Sequence, residues 1–509
     1  MTISFVKKTM MSYDKGMKKL GKALLFFLCI ALTCFASFAE ESADEGNADN
    51  VRVLSISNCL NIGLSNNIDI KIAQIESEIA GQDVLLSEAI FDTFLSASAT
   101  YSDDQRVPEN VLFGTKNLVT DYKMGATKKL PTGTELGVSY VDERRWTNST
   151  FTTENPIHDA ELSFSLRQPV LKNFFGFVDR QSVKLAKIEA KIKDIQAFDR
   201  IENAVADIQK AYWELAYYYQ TVAFRTELFK QAEELYNTYS EHLKTGLVET
   251  TNVYETEANM RIRKAELLIS ENNLITASNK LKLLLYDDGD YVISPEEKLE
   301  VPGGKVDLVE SLNTAFIANR EYLIKKKSLE SKKVNLKMKK NSLWPQVDLV
   351  GTFSLNGVDR KFEKANRNLT AENNPLYYGG VEFSVPLENT AARGEFQTAI
   401  LEKEEAILEI LNTEKALATE IDDKVRAVNL LSDNSKRWTK IREIQYNKFI
   451  DEKKKLSYGR STSKTVIDYQ NDLMLASLRE YLNLYDYYAS RIDLENAMDT
   501  LLKKVGVLG

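Results

Sequence analysis

Very little in this chain could do covalent chemistry. His158 and His242 are its whole stock of imidazole, and neither belongs to a His–carboxylate constellation. No nucleophile elbow, phosphate-binding loop or metal-ligand spacing is present. Both histidines are expected at solvent-exposed positions. Cys59 is the one cysteine that lies beyond the N-terminal segment, so no intrachain disulfide and no ordinary zinc site can form. No enzyme, cofactor or metal is expected. The residues whose spacing does carry chemistry are small hydroxyls and acids that alternate with apolar side chains. Leu95, Ala97, Ala99 and Tyr101 share one face of an extended segment while Ser96, Ser98 and Thr100 share the other. Leu162, Phe164 and Leu166 alternate with Ser163, Ser165 and Arg167; Val347, Leu349 and Phe353 oppose Asp348, Thr352 and Ser354; Val381, Phe383 and Val385 oppose Glu382 and Ser384. One face suits hydrocarbon and the other suits water and ions, as the wall of a water-filled membrane barrel requires. A half-buried soluble sheet would show the same alternation.

These segments recur because the second half of the chain repeats the first. At a constant offset of 252, Leu60, Asn61, Asn67, Ile72, Glu78, Thr100 and Ser102 meet Leu312, Asn313, Asn319, Ile324, Glu330, Thr352 and Ser354. Each half reads as a short helix, an alternating segment, a second one ending at a proline, a very long helix, a glycine tip and a returning helix. The spacing predicts a first repeat over 54–305, with strands at about 93–103 and 160–169 and helices over about 178–285. The second runs over 306–509, with strands at about 346–356 and 379–386 and helices over about 390–503. The first repeat holds about 35 more residues between its strands than the second. They include a hairpin over about 120–142, turned at Pro131-Thr-Gly133. From sequence, the 104–156 insertion either adds two strands to the wall or projects as an extracellular loop.

The chain opens with an export signal over 1–39: Lys18, Lys19 and Lys22 precede the apolar run Ala23–Phe38, and Ser37-Phe-Ala39 offers a cleavage site. Met17 is an alternative start. An acidic lead-in over 40–53 follows, of which the stretch Glu40–Asn50 is expected to be disordered. Losing residues 1–39 takes six lysines and one aspartate from a net charge of −8, leaving −13. That balance excludes a nucleic-acid partner, which calls for a basic face. In a bilayer every strand edge must be paired, so only closed barrels survive. Four strands are too few and twelve, from three copies, are enough. Trp344, just before Pro345, falls where a strand enters the membrane interface.

After each of Pro169 and Pro386 the hydrophobic period changes to that of a helix. Ile201, Val205, Ile208, Tyr212, Leu215, Tyr219 and Val222 form a heptad seam, and Met474, Leu478, Tyr481, Tyr485, Tyr488 and Ile492 form another. A helix from Val178 to Lys244 would be roughly 100 Å long at 1.5 Å per residue, so these helices must stand together as antiparallel coiled-coil hairpins. The hairpins turn at Gly246 and Gly459, each followed seven residues later by a valine, Val253 and Val466. Glycine ends one helix, and a Thr or Ser caps the next. Pro169 and Pro386 mark the passage from sheet to helix.

With these pieces the chain resembles the TolC family of outer-membrane efflux and secretion channels. The resemblance runs from about Leu54 to Leu502. It is carried by Asn67 and Asn319 closing the leading helices, Gln168-Pro-Val-Leu171, Val385-Pro-Leu387 with Ala391-Ala-Arg393, Ala211-Tyr-Trp213 and Tyr458-Gly-Arg-Ser-Thr-Ser-Lys-Thr-Val-Ile-Asp-Tyr-Gln470. It implies a mainly helical trimer in which an α-barrel crosses the periplasm and joins a β-barrel in the outer-membrane lipid. Such a homotrimer is the exit duct of a tripartite efflux or type I secretion system, with a periplasmic adaptor and an inner-membrane pump or ABC exporter as partners. By position, the resemblance makes Asp468 a pore-ring carboxylate at the periplasmic tips. Thr465 stands where a second aspartate occurs in well-known members, so a double acidic ring is not matched here. Asn252 and Glu255 hold the corresponding positions of the first repeat, and three Glu255 are candidates to join the ring. The competing expectation is an exported coiled-coil scaffold or adhesin without a pore.

Overall fold

The computed structural model describes residues 51–107, 114–152, 154–301, 303–371 and 374–506. The expected export signal, and the lead-in as far as residue 50, lie outside the described residues. Residues 51–53, the end of the acidic lead-in, are extended: Val51–Leu54 forms strand β1, paired with β6 (Val292–Pro295). The apolar Val-Arg-Val-Leu alternation finds an edge there, and the core-facing Leu54 is buried.

In the first repeat α1 (Ile56–Asn66) and α2 (Ile68–Glu88) lead into β2 (Thr93–Asp104). Strands β3 (Asn117–Lys129), β4 (Glu135–Thr147) and β5 (Ile157–Pro169) follow. The long helix α3 (Phe177–Lys244) and its return α4 (Thr250–Leu285) complete it. The second repeat runs through α5 (Leu308–Ala318), α6 (Arg320–Ser342), β7 (Gln346–Asp359), a short helix α7 (Phe362–Ala371) and β8 (Pro375–Ser384). It closes with α8 (Thr390–Ser457), α9 (Ser463–Ala497) and α10 (Leu501–Val505). Helices α3 and α8 have 68 residues each, about 100 Å at 1.5 Å per residue. Each lies antiparallel to its return helix, and α3 also packs on α9.

The repeat is visible in atomic detail. Asn67 caps α2, its Oδ1 accepting from the amides of Asp69 (2.9 Å) and Ile70 (3.2 Å), and its Nδ2 donates to the Leu284 carbonyl at 2.9 Å. Asn319 caps α6 through Tyr322 N (2.9 Å) and donates to the Ala497 carbonyl at 3.0 Å. One asparagine in each half thus starts a leading helix and satisfies an orphan carbonyl at the end of the returning one.

The first heptad seam is buried from Ile201 to Leu215, together with Leu281, Leu285, Leu501 and Leu502. Tyr219, however, is exposed. A straight helix drifts against a seven-residue repeat, so burial passes to Thr221, Leu228 and Ala232. The second seam is displaced in a similar way. The buried apolar positions of α9 are Val466, Leu473, Ala476, Leu484, Tyr487, Ile492 and Leu494, so Ile492 of the expected seam is buried while Tyr481, Tyr485 and Tyr488 are half-buried. This helix packs on both α8 and α3, so its buried stripe is wider than a two-helix seam. Tyr488 stacks on Trp213 at 4.0 Å between ring centroids, at the contact between the repeats.

All six long strands form one antiparallel sheet in the order β2-β3-β4-β5-β7-β8. The insertion therefore does not project away from it: β3 and β4 stand between β2 and β5, paired along their lengths on both sides. The register carries one apolar face across the whole sheet, through Ala97, Met124, Tyr140, Leu162, Leu355 and their neighbours. The opposite face carries Ser98, Lys123, Ser139, Ser163, Ser354 and Glu382.

Candidate functional site: the two-faced sheet and the helical tips

The tips lie at the ends of α3 and α8. Gly246 and Gly459 have φ +72° and +67°. Each is the left-handed residue of a Schellman turn: Leu247 N donates to His242 O, and Arg460 N to Lys455 O, both at 2.9 Å. Val253 and Val466 are buried just beyond, the latter against Phe449 and Leu473. Asn252 closes a capping box with Glu249 at the start of α4. Thr462 caps α9 by accepting from Thr465 N at 3.3 Å, and the two hydroxyls lie 3.0 Å apart. Glu255 accepts from Ser463 Oγ at 2.7 Å, which ties one tip to the other. Asp468 is exposed and has no hydrogen-bond or ion-pair partner among the described residues, with Lys464 exposed one turn ahead of it. Glu452, below the second tip, accepts from Ser461 Oγ (2.7 Å) and pairs with Lys455, and both hold its carboxyl below its ordinary value. Between the tips lies a groove of about 590 Å³ lined by Leu235, Tyr239, Leu247, Phe449, Leu456 and Val466.

At the other end of the long helices the chain passes into the sheet. Pro169 is the last residue of β5, and Pro386 lies between β8 and α8. The residues that bend the chain there are asparagines, which sequence reasoning missed. Asn173 (φ +60°) and Asn389 (φ +46°) stand in the left-handed region just before the two long helices. Asn173 also accepts from Val178 N and donates to Asp179, each at 2.8 Å. Asparagine tolerates this conformation better than most residues, so an Asn a few positions after the strand-ending proline was the available signal. The β3–β4 turn docks on the same passage. A Cβ at Gly176 would lie 2.3 Å from the Pro131 carbonyl oxygen, and one at Gly133 2.7 Å from Gly176 N. Lys129 bonds Asp179 at 3.0 Å.

Helix α7 covers the far end of the apolar face, where Ala365 and Leu369 pack on Ala160. His158 belongs to this layer and is not an isolated, solvent-exposed residue. Its Nδ1 lies 3.0 Å from Oδ2 of the fully buried Asp142, and its ring meets Phe362 edge-on at 5.9 Å. The β4–β5 register makes Asp142 and His158 diagonal neighbours on one face, a juxtaposition that spacing along the chain does not reveal. His242 is exposed. Cys59 is buried in the helical core, and burial together with the Glu297 charge pushes its thiol up to about 12. Among the described residues no helix is long and apolar enough to cross a membrane, and no group of three or more His, Cys, Asp or Glu could hold a metal ion.

No family model matches the sequence, and no curated protein matches it. Solved structures do. The outer membrane channel CmeC of Campylobacter jejuni aligns with TM-score 0.64 at 16% identity, over 87% of this chain and 85% of that one. CusC, described as undergoing transmembrane channel formation, aligns with TM-score 0.66 at 12% identity, over 90% and 95%. The open-state MtrE outer membrane channel of Neisseria gonorrhoeae gives 0.65 at 14% identity, over 87% and 88%. The chain has the fold of these TolC-type outer membrane channels.

Proposed function

We propose that this protein is an outer-membrane channel: a homotrimer whose sheets close into a β-barrel and whose helical hairpins form a tube through the periplasm. The observation that carries this reading is the two-faced sheet, joined end to end with two hairpins about 100 Å long. Leu95, Met124, Tyr377 and Phe383 are each more than 60% exposed on the apolar face. In water that band is unfavourable; against lipid it is the expected exterior of a barrel. The strands have 10 to 14 residues, enough to span a bilayer at the usual tilt. Two further unpartnered stripes support self-association: Ile68, Ile72, Ile75, Ile79 and Leu86 on α2, and Leu401, Leu408 and Leu411 on α8.

The trimer is a passive conduit. Cargo comes from an inner-membrane pump or ABC exporter through a periplasmic adaptor, which docks at the tips against the groove around Leu247 and Leu456. At the tips the exposed Asp468 of three copies, with Glu255 beside them, forms the narrow mouth, and its carboxylates favour cations. The test is the detergent-corrected mass of protein extracted from the outer-membrane fraction, followed by conductance in planar bilayers. Three chain masses and ohmic channels are expected. A soluble monomer without conductance would leave a coiled-coil scaffold in the channel's place.

A further inference from the structure

We infer that the barrel wall of this channel contains eighteen strands, six from each chain, because the β3–β4 hairpin is built into it. This rests on the reading of the sheet as a membrane barrel, and it changes what that barrel is. The four segments whose alternation is shared by the two repeats would make a twelve-stranded wall from three copies. In the structure β2 and β5 are not neighbours, because the hairpin occupies the whole space between them. Removing it from the wall would require β2 to break its pairing with β3 from Thr93 to Asp104 and find a new partner.

The side chains of the hairpin fit the wall as well as its backbone does. Tyr122, Met124 and Ala126 on β3 and Leu136, Val138 and Tyr140 on β4 continue the apolar band of β2 and β5 without a break in register. On the other face stand Asp121, Lys123, Lys129, Glu135, Glu143 and Arg145, the composition of a water-filled lumen. Met124, at 63% exposure, lies at the centre of the band. A hairpin standing in water would show this apolar side to solvent, and one lining the lumen would show it to the pore.

The consequence is a lumen that is wide at its outer end. Barrel diameter grows roughly linearly with strand number, so with strands about 4.8 Å apart and tilted about 40° the backbone diameter rises from about 24 Å to about 36 Å. The added strands have no helix beneath them. Strands β2, β5, β7 and β8 each adjoin a helix at the tube end, whereas β3 and β4 close there on the Leu130–Thr134 turn, which packs on Gly176. The eighteen-stranded wall therefore flares outward from a tube built on four strands per chain.

The test places single cysteines on both faces of the full-length protein in lipid vesicles: Met124→Cys and Val138→Cys on the apolar face, Lys123→Cys and Ser139→Cys on the polar face. Phe164→Cys and Ser165→Cys do the same for β5, and the buried Cys59 stays silent. Each is labelled with a fluorophore and read with acyl-brominated lipid, and each is separately challenged with a membrane-impermeant maleimide. The expected result is at least two-fold quenching by lipid at 124, 138 and 164, with aqueous labelling at 123, 139 and 165. If 164 and 165 show that split while all four hairpin positions label from water without quenching, the hairpin lies outside the wall and the inference fails, with the channel reading intact. If position 164 is not quenched by lipid either, the barrel reading fails and takes this inference with it.

Discussion

At the scale of single residues, a buried ion cluster joins the two repeats. Arg320, at the start of α6, pairs with Glu202 of α3 and with Asp499 beyond α9. Glu202 also accepts from Leu501 N at 2.7 Å, so one carboxylate joins both repeats. Replacing Arg320 by Met strands two buried carboxylates and is expected to cost about 3–5 kcal/mol, read as a lower unfolding temperature. Burial pushes Asp499 from 3.8 up to about 6, against the pull of Arg320 and with Glu202 and Asp199 adding to the rise. A raised carboxyl stabilises the fold fully below its unfolded value and loses that contribution as pH rises through the folded one. The stability difference between Asp499→Asn and wild type therefore moves in the variant's favour between about pH 4 and pH 6, and a flat difference across that range would refute it. At the tips the expected effect is functional. If the proposed pore ring forms, Asp468→Asn should lower the cation preference of the reconstituted channel, measured as a shift of reversal potential in a salt gradient. Gly246→Ala should fold almost unchanged, because a Cβ there meets nothing within 4 Å and only the left-handed φ is strained, about 1 kcal/mol.

At the scale of elements, the helices of one chain leave exposed apolar stripes, which the proposed trimer would cover with a second copy of the chain. On α2 the spacing 68, 72, 75, 79, 86 is a heptad seam facing away from α3. Burying an isoleucine is worth about 1.5–3 kcal/mol, so Ile75→Asn combined with Ile79→Asn should dissociate the trimer at lower temperature or higher detergent. An unchanged dissociation temperature would place the subunit interface elsewhere. The capping asparagines act on the same scale. Asn67→Ala or Asn319→Ala removes a helix cap worth about 1 kcal/mol and leaves the Leu284 or Ala497 carbonyl short of a donor.

At the scale of the whole molecule, the sheet has two open edges, β2 and β8. Lipid does not tolerate open edges, so in the proposed trimer β2 of one chain would pair with β8 of the next. Amide hydrogen exchange should therefore find both edge strands as well protected in the trimer as the central β5. Fast exchange along β2 and β8 in a particle of three-chain mass would mean that the wall closes by another route.

What the sequence alone determined is what a backbone periodicity can carry. Alternation at period two marked four strands and their faces, and the period near 3.5, uninterrupted by proline, marked very long helices after Pro169 and Pro386. The tip glycines were legible because a glycine dictates its own backbone conformation, whereas Asn67 and Asn319 were marked only as the ends of the leading helices, and the structure showed that they cap the helices that follow. What only the tertiary structure decided depends on partners distant in the chain. Whether the 104–156 insertion joins the sheet is a choice of which strand edges pair, and the alternation in Tyr122–Met124 and Val138–Tyr140 marks the faces of the strands but not the edges they pair with. His158 looked isolated because Asp142 reaches it only through the β4–β5 register. Arg320, Glu202 and Asp499 converge only when the two repeats pack together. The seams in α3 and α9 were found at the right period but with burial rotated away at Tyr219 and at Tyr485. How far a helix turns between neighbours is set by all the elements it touches.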